Sequence, residues 1–304
     1  MQFRGVLPAI TTPFTESGAI DHEFLARHAN WLVDHGAKGI VALGSLGEGA
    51  TLEHDEKLTL LRTLVEALEG RAPVVAAISA LSTRQAMTLA REAEAIGCRG
   101  LMVLPPYVHA GSWAETRAHL RAVIGACALP CMLYNNPIAY GCDLRPEQLA
   151  ELAELEPRVV AVKESSGDVR RMTALRALVG DRLDLLAGLD DMVVEAARMG
   201  ADGWVAGLVC ALPAESIALF ELARSPEPGH FEQALALYRW FLPLLRLDTT
   251  PVFVQQIKLV QQALEMGHER VRAPRSTLVG AEREATLALI AERLAARPQL
   301  GDRR

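Results

Sequence analysis

The stretch HGAKGIVALG, residues 35–44, joins the end of a helical pattern to an apolar run through two glycines. Glycine tolerates the left-handed conformation that ends a helix, and a second glycine lets the chain enter a sheet closely. The same grammar returns in IGCRGLMVLP (96–105) and MGADGWVAG (199–207). It marks a repeated helix-to-strand connection.

Working outward from that unit, eight short β-rich runs appear. They are VLPAI (6–10), GIVALG (39–44), PVVAAIS (73–79), GLMVLPP (100–106), PCMLYN (130–135), VVAVKES (159–165), LDLLAG (183–188) and GWVAG (203–207). Several are apolar throughout rather than alternating, as parallel strands covered on both faces should be. Helical periods lie between them. Phe24, Leu25, His28, Trp31 and Leu32 share one face, and Leu61, Leu64, Val65 and Leu68 follow i, i+3, i+4, i+7 spacing. Thr51 is placed to cap the helix that Glu53, Asp55 and Glu56 open with negative charge.

Eight β-then-α units predict an α/β fold, a (β/α)8 TIM barrel. A doubly wound sheet is the competing arrangement, but no GxGxxG follows the first strand. The strand signal stops near residue 210. Residues 1–210 therefore hold the barrel strands and most of the helices. Residues 211–304 hold the last barrel helix and a C-terminal helical extension, ending in a frayed tail, RPQLGDRR.

Composition narrows the function classes. The 304 residues are 50% hydrophobic and 22% charged, with a formal charge of −6 and no basic stripe, which speaks against nucleic acid as a partner. No apolar run approaches 18 residues and the N-terminus has no signal-peptide core, so no membrane is expected and the protein is placed in the cytoplasm. Five cysteines without CxxC or Cys/His spacing read as reduced thiols, and the eight histidines form no HExxH or HxH. No metal is expected. His28, His119 and His230 read as helix-surface residues, and His109, Asp190 and Asp191 fall in strand-to-helix loops.

Only four lysines occur, Lys38, Lys57, Lys163 and Lys258, and Lys163 ends the apolar sixth run. Strand C-termini face the active site of such a barrel. The ordinary alternative is a rim lysine paired with Glu164 or Asp168. The chemical one is an amine kept neutral by an apolar wall, able to attack a carbonyl. Tyr107 and Tyr134 end the fourth and fifth strands, where a phenol beside a Schiff-base amine can shuttle protons. GSLGEGATL (44–52), after the second strand, is suited to a carboxylate through its backbone N–H groups and Ser45, with Glu48 bracing the loop.

GSLGEGATL, LPPYV, LYNNPIAYG and VVAVKESSGD, in this order on these strands, resemble the dihydrodipicolinate synthase/N-acetylneuraminate lyase family across residues 4–295. The resemblance implies that Lys163 forms a Schiff base with a small 2-oxo acid and that no other cofactor is needed. It makes Tyr134 the proton shuttle, and Ser45 with the Leu46 backbone the carboxylate grip. Tyr107 matches the tyrosine that, in the synthases, completes a relay from a neighbouring subunit, which implies a homo-oligomer, a dimer or tetramer. The implied substrate pocket comprises Ser45, Leu46, Gly47, Ile138, Ala139 and Val205.

Two departures bear on the substrate. The synthases have Thr-Thr where this chain has Ser45-Leu46, and an arginine where it has Ala139. A lost carboxylate clamp disfavours aspartate semialdehyde. LGSLGE, YNNPIAYG, KESSGDVRRM, DGWVAG and YRWFLPLLRLDTTPVFVQQIKL resemble the branch that converts 1-pyrroline-4-hydroxy-2-carboxylate to 2,5-dioxopentanoate and ammonia. The alternatives are 4-hydroxy-tetrahydrodipicolinate synthase, an aldolase or dehydratase of a 2-keto-3-deoxy sugar acid and, from another class, a non-catalytic binding barrel.

Overall fold

The computed structural model of the chain describes residues 1–109 and 111–300. Eight strands form one parallel sheet: β1 (Gly5–Pro8), β2 (Ile40–Ala42), β3 (Val74–Ile78), β4 (Gly100–Val103), β5 (Cys131–Asn135), β6 (Val159–Glu164), β7 (Asp184–Ala187) and β8 (Gly203–Ala206). The sheet closes where β1 meets β2. There Ala9 bridges Val41, and the N–H groups of Lys38 and Ile10 donate to the carbonyls of Val6 and Val41 at 2.9 Å. This is a (β/α)8 barrel.

The repeated helix-to-strand connection takes the conformation its glycines predict. Gly36, Gly97 and Gly200 stand at φ of 104°, 106° and 93°. At the second glycines the fit is close: a Cβ at Gly203 would lie 2.9 Å from the Gly5 carbonyl oxygen.

The surrounding helices are α1 (His22–Asp34), α2 (His54–Leu68), α3 (Thr83–Ile96), α4 (Trp113–Ile124), the single turn α5 (Pro137–Tyr140), α6 (Pro146–Leu155), α7 (Arg170–Val179), α8 (Val193–Arg198) and α9 (Pro213–Arg224). They bury apolar faces on the barrel, with Leu25, Leu32, Leu61 and Leu64 fully enclosed. Each such side chain contributes roughly 1.5–3 kcal/mol. Three further helices, α10 (His230–Leu245), α11 (Phe253–Ala263) and α12 (Gly280–Ala295), pack beyond the barrel. No helix is long and apolar enough to cross a membrane among the described residues.

Three local expectations change. His28 is buried, not on the surface, with its ring Nε2 2.8 Å from the Cys210 carbonyl oxygen. It shares the face of Leu25, so helical period placed it correctly and polarity misled. Thr51 does not cap α2. The cap is Glu53, whose N–H donates to the Glu56 carboxylate at 2.9 Å, while the Thr51 hydroxyl turns back to the Glu48 carbonyl. In the terminal segment, residues 301–304 lie outside the described residues, and Arg297 forms an ion pair with the buried Glu215.

Candidate active site

The register of β5 against β6 pairs Tyr134 with Lys163 and Asn135 with Glu164. Side chains alternate along a strand, so each pair shares a face. Asn135 and Glu164 are bonded to each other, with Asn135 Nδ2 donating to the Glu164 carboxylate at 3.0 Å. Tyr134 and Lys163 both line a cavity of about 510 Å³, and Lys163 Nζ lies 4.2 Å from the Tyr134 ring centre.

Lys163 is 6% exposed and its amine is, among the described residues, in no ion pair. Glu164 is held by Asn135 and the Ser166 N–H, and Asp168 by Arg170 Nε and Nη2 at 2.7 and 2.8 Å. Burial pushes the Lys163 pKa down, opposed by Asp248, Tyr140 and Asp190. Lys258 is equally buried but committed. Its Nζ donates to Glu48 Oε1 at 2.5 Å and to the Arg270 carbonyl at 2.7 Å. Of the two buried lysines, only Lys163 offers an amine to the cavity.

The YNNPIAYG segment builds the opposite wall. Asn136 caps the turn of α5 by accepting from the Ala139 N–H at 3.0 Å, with Pro137 at the first helical position and Gly141 ending the turn in the left-handed region. The same Asn136 donates through Nδ2 to the Tyr134 hydroxyl at 2.8 Å, which orients that phenol. One turn of helix brings Tyr140 back to the cavity. Its hydroxyl is hydrogen-bonded to Ser45 Oγ, and its ring stands edge-on to Tyr134, centres 5.8 Å apart. Burial pushes both phenols up to about 12, so both are protonated donors near neutrality.

Ser45 and Leu46 reach the cavity on a tight loop flanked by two non-glycine residues in the left-handed region, Leu43 at φ 65° and Glu48 at φ 53°. Such residues persist where surrounding contacts over-determine them. Here Glu48, 1% exposed, is fixed by Lys258 and by the Arg272 N–H at 3.0 Å. The C-terminal extension thus holds the loop that carries Ser45.

Ser45, Leu46, Tyr134, Ile138, Ala139, Lys163 and Val205 all line this one cavity. Two candidates do not. The Gly47 carbonyl faces away and accepts from Thr12 Oγ1 at 2.6 Å. Tyr107 lines a neighbouring cleft of about 380 Å³ with His109, its ring centre 5.9 Å from that of Tyr140.

Tyr140, Asn136, Asp248 and Arg275 also line the site, and sequence reading assigned none of them. The capped Asn-Pro turn was a usable signal for Asn136 and Tyr140. Asp248 and Arg275 arrive from the extension, where no strand end points to the site. Behind the cavity, Asp190 is fully buried and accepts from Trp204 Nε1 at 2.9 Å, Gly207 N at 3.1 Å and Leu208 N at 2.7 Å. Burial pushes its carboxyl up to about 6, against those three donors, and pushes Asp248 well above the carboxylate range, with Asp190 adding to the effect.

The profile of the Dihydrodipicolinate synthetase family matches residues 2–293. The chain belongs to this family. It is 36% identical to the 4-hydroxy-tetrahydrodipicolinate synthase of Moorella thermoacetica over 93% of its length and 95% of that protein's. With the synthase of a Synechococcus species the figures are 35%, 91% and 89%. A crystal structure of the Acinetobacter baumannii dihydrodipicolinate synthase complexed with pyruvate superposes with a TM-score of 0.89 at 26% identity, covering 96% of this chain and 99% of that one. As a dihydrodipicolinate synthetase family member the protein is an enzyme, a lyase.

Proposed function

We propose that this enzyme is a Schiff-base lyase of a small 2-imino acid, the dehydrating deaminase of 1-pyrroline-4-hydroxy-2-carboxylate. The observation that carries the Schiff-base step is the unpaired, buried Lys163 amine beside Tyr134 in the cavity. Lys163 attacks the ring C2, and the C2–N1 bond breaks, leaving N1 as an amine on C5. Ser45 and the Leu46 backbone hold the carboxylate. Tyr134, oriented by Asn136, moves the C3 proton to form the enamine. The enamine expels the C4 hydroxyl; proton shifts turn the C5 amine into an imine, and water releases ammonia. Hydrolysis at C2 frees Lys163 and 2,5-dioxopentanoate. The lysine imine is the electron sink, so this chemistry asks for no further cofactor.

The compact wall of Leu46, Ile138 and Ala139 favours this ring over a polyhydroxylated sugar acid. The family's relayed tyrosine is matched by Tyr107, and its position outside the cavity of its own chain fits a role toward a neighbouring subunit of a dimer or tetramer. The cytoplasm is the matching compartment for the five free thiols.

The alternative reading, supported by the names of the Moorella and Synechococcus relatives, is a 4-hydroxy-tetrahydrodipicolinate synthase, which would condense pyruvate with aspartate semialdehyde. One feature of this cavity favours it. Arg275 lines the wall, 3.9 Å from a Glu48 already occupied by Lys258, and a guanidinium there can take the second substrate's carboxylate in place of the arginine absent at Ala139.

Two assays with Lys163→Ala as control decide between them. Lysine-dependent ammonia release from 1-pyrroline-4-hydroxy-2-carboxylate is expected. Lysine-dependent consumption of pyruvate and aspartate semialdehyde, without ammonia release from the pyrroline, makes the enzyme a synthase.

A further inference from the structure

Asp248 is the carboxyl that the proposed reaction has not yet used. It comes from the turn Arg246–Thr249 after α10 and lines the same cavity as Lys163. The end of β8 is shaped to receive it: a Cβ at Gly207 would lie 2.2 Å from Asp248 Oδ1, so no other residue fits there without displacing the carboxyl.

On the deaminase function proposed above, we propose that Asp248 is the general acid that protonates the departing C4 hydroxyl. Two close carboxyls in a buried site do not both ionise, and hydrogen-bond donors decide which one keeps the proton. Asp190 has three N–H donors, from Trp204, Gly207 and Leu208, all of which stabilise its ionised form. Asp248, among the described residues, has one such donor, the backbone N–H of Asp190. Asp190 therefore carries the charge and Asp248 the proton. The two cavity phenols are far weaker acids, and Tyr134 is already committed at C3.

The step balances. The nitrogen lone pair of the Lys163 enamine forms the C2=N bond, and the C2=C3 pair moves to C3=C4. The C4–O bond breaks with its electrons on oxygen. That oxygen takes the Asp248 proton and leaves as water, and the Asp248 carboxylate is reprotonated from solvent before the next turnover.

The test compares wild type and Asp248→Asn on the natural 4-hydroxy ring and on its 4-acetoxy analogue, whose leaving group departs without a proton. Labelling of Lys163 by pyruvate and borohydride reports an intact site in each variant. Asp248→Asn is expected to keep the label, to lose on the order of 10²–10³-fold in kcat on the hydroxy substrate, and to stay within about threefold of wild type on the acetoxy one. Asp248→Ala is expected to show the same selectivity and serves if the Asn variant does not fold. Equal loss on both substrates, or kcat near wild type on the hydroxy ring, overturns the role of Asp248 while leaving the deaminase standing. A wild-type enzyme that releases no ammonia from either ring overturns both.

Discussion

At the scale of single residues the site depends on two lysines that burial treats alike and partners treat differently. Lys258 is neutralised by Glu48, whereas Lys163 faces the cavity unpaired. Treatment with pyruvate and borohydride is expected to label Lys163 alone, and Lys163→Ala, with unchanged circular dichroism, is expected to take no label. Tyr134→Phe keeps the ring against Lys163 but removes the proton donor. A fall in kcat of roughly 10²–10³-fold with little change in KM is expected from steady-state kinetics. The pH profile follows from the direction of the Lys163 shift. In the proposed reaction the amine attacks as the free base, so kcat/KM is expected to fall as pH drops through its pKa. Because burial lowers that pKa, the acid limb lies below the ordinary lysine value of about 10.4. Lys163 and Tyr134 were legible in the sequence because each ends an apolar run. Asp248 was not, since a carboxylate within a helical segment resembles any solvated one until the chain is folded.

At the scale of elements, all eight strands were readable because each is short and largely apolar, and most are bounded by glycine or proline. The β2–α2 loop was readable only in part. GSLGEGATL announces a tight turn, but the left-handed backbone at Leu43 and Glu48 has no signature in residue type. It is maintained by the Glu48–Lys258 pair, which joins the loop to α11. Glu48→Ala strands a buried ammonium and is expected to destabilise the protein by about 3–5 kcal/mol. A urea midpoint lowered at constant m-value is the measurement. Activity should fall as well, since the same loop presents Ser45.

At the scale of the whole molecule, the extension is part of the site rather than an appendage. It supplies Asp248 and Arg275 to the cavity and the Lys258 that anchors the Ser45 loop. His28 gives a global consequence. Burial lowers its pKa to about 4, against 6.5 for an exposed histidine. Between those values the unfolded chain binds a proton that the folded chain refuses. The stability His28 contributes is therefore full above pH 6.5 and is lost as pH falls toward 4, roughly 3 kcal/mol in all. Denaturation midpoints at pH 7 and pH 5 are expected to differ less in His28→Gln than in wild type.

By itself the sequence determined the barrel, its eight strands, and the placement of Lys163 and Tyr134 at neighbouring strand ends. These follow from local pattern: apolar period, glycine punctuation and position at a strand end. Tertiary structure alone decided which lysine is paired, which carboxyl shares the cavity with Lys163, and where Tyr107 and Gly47 lie. Those outcomes depend on residues far apart in the chain, Glu48 with Lys258 and Gly207 with Asp248, and burial and charge act on such groups only after the fold has brought them together.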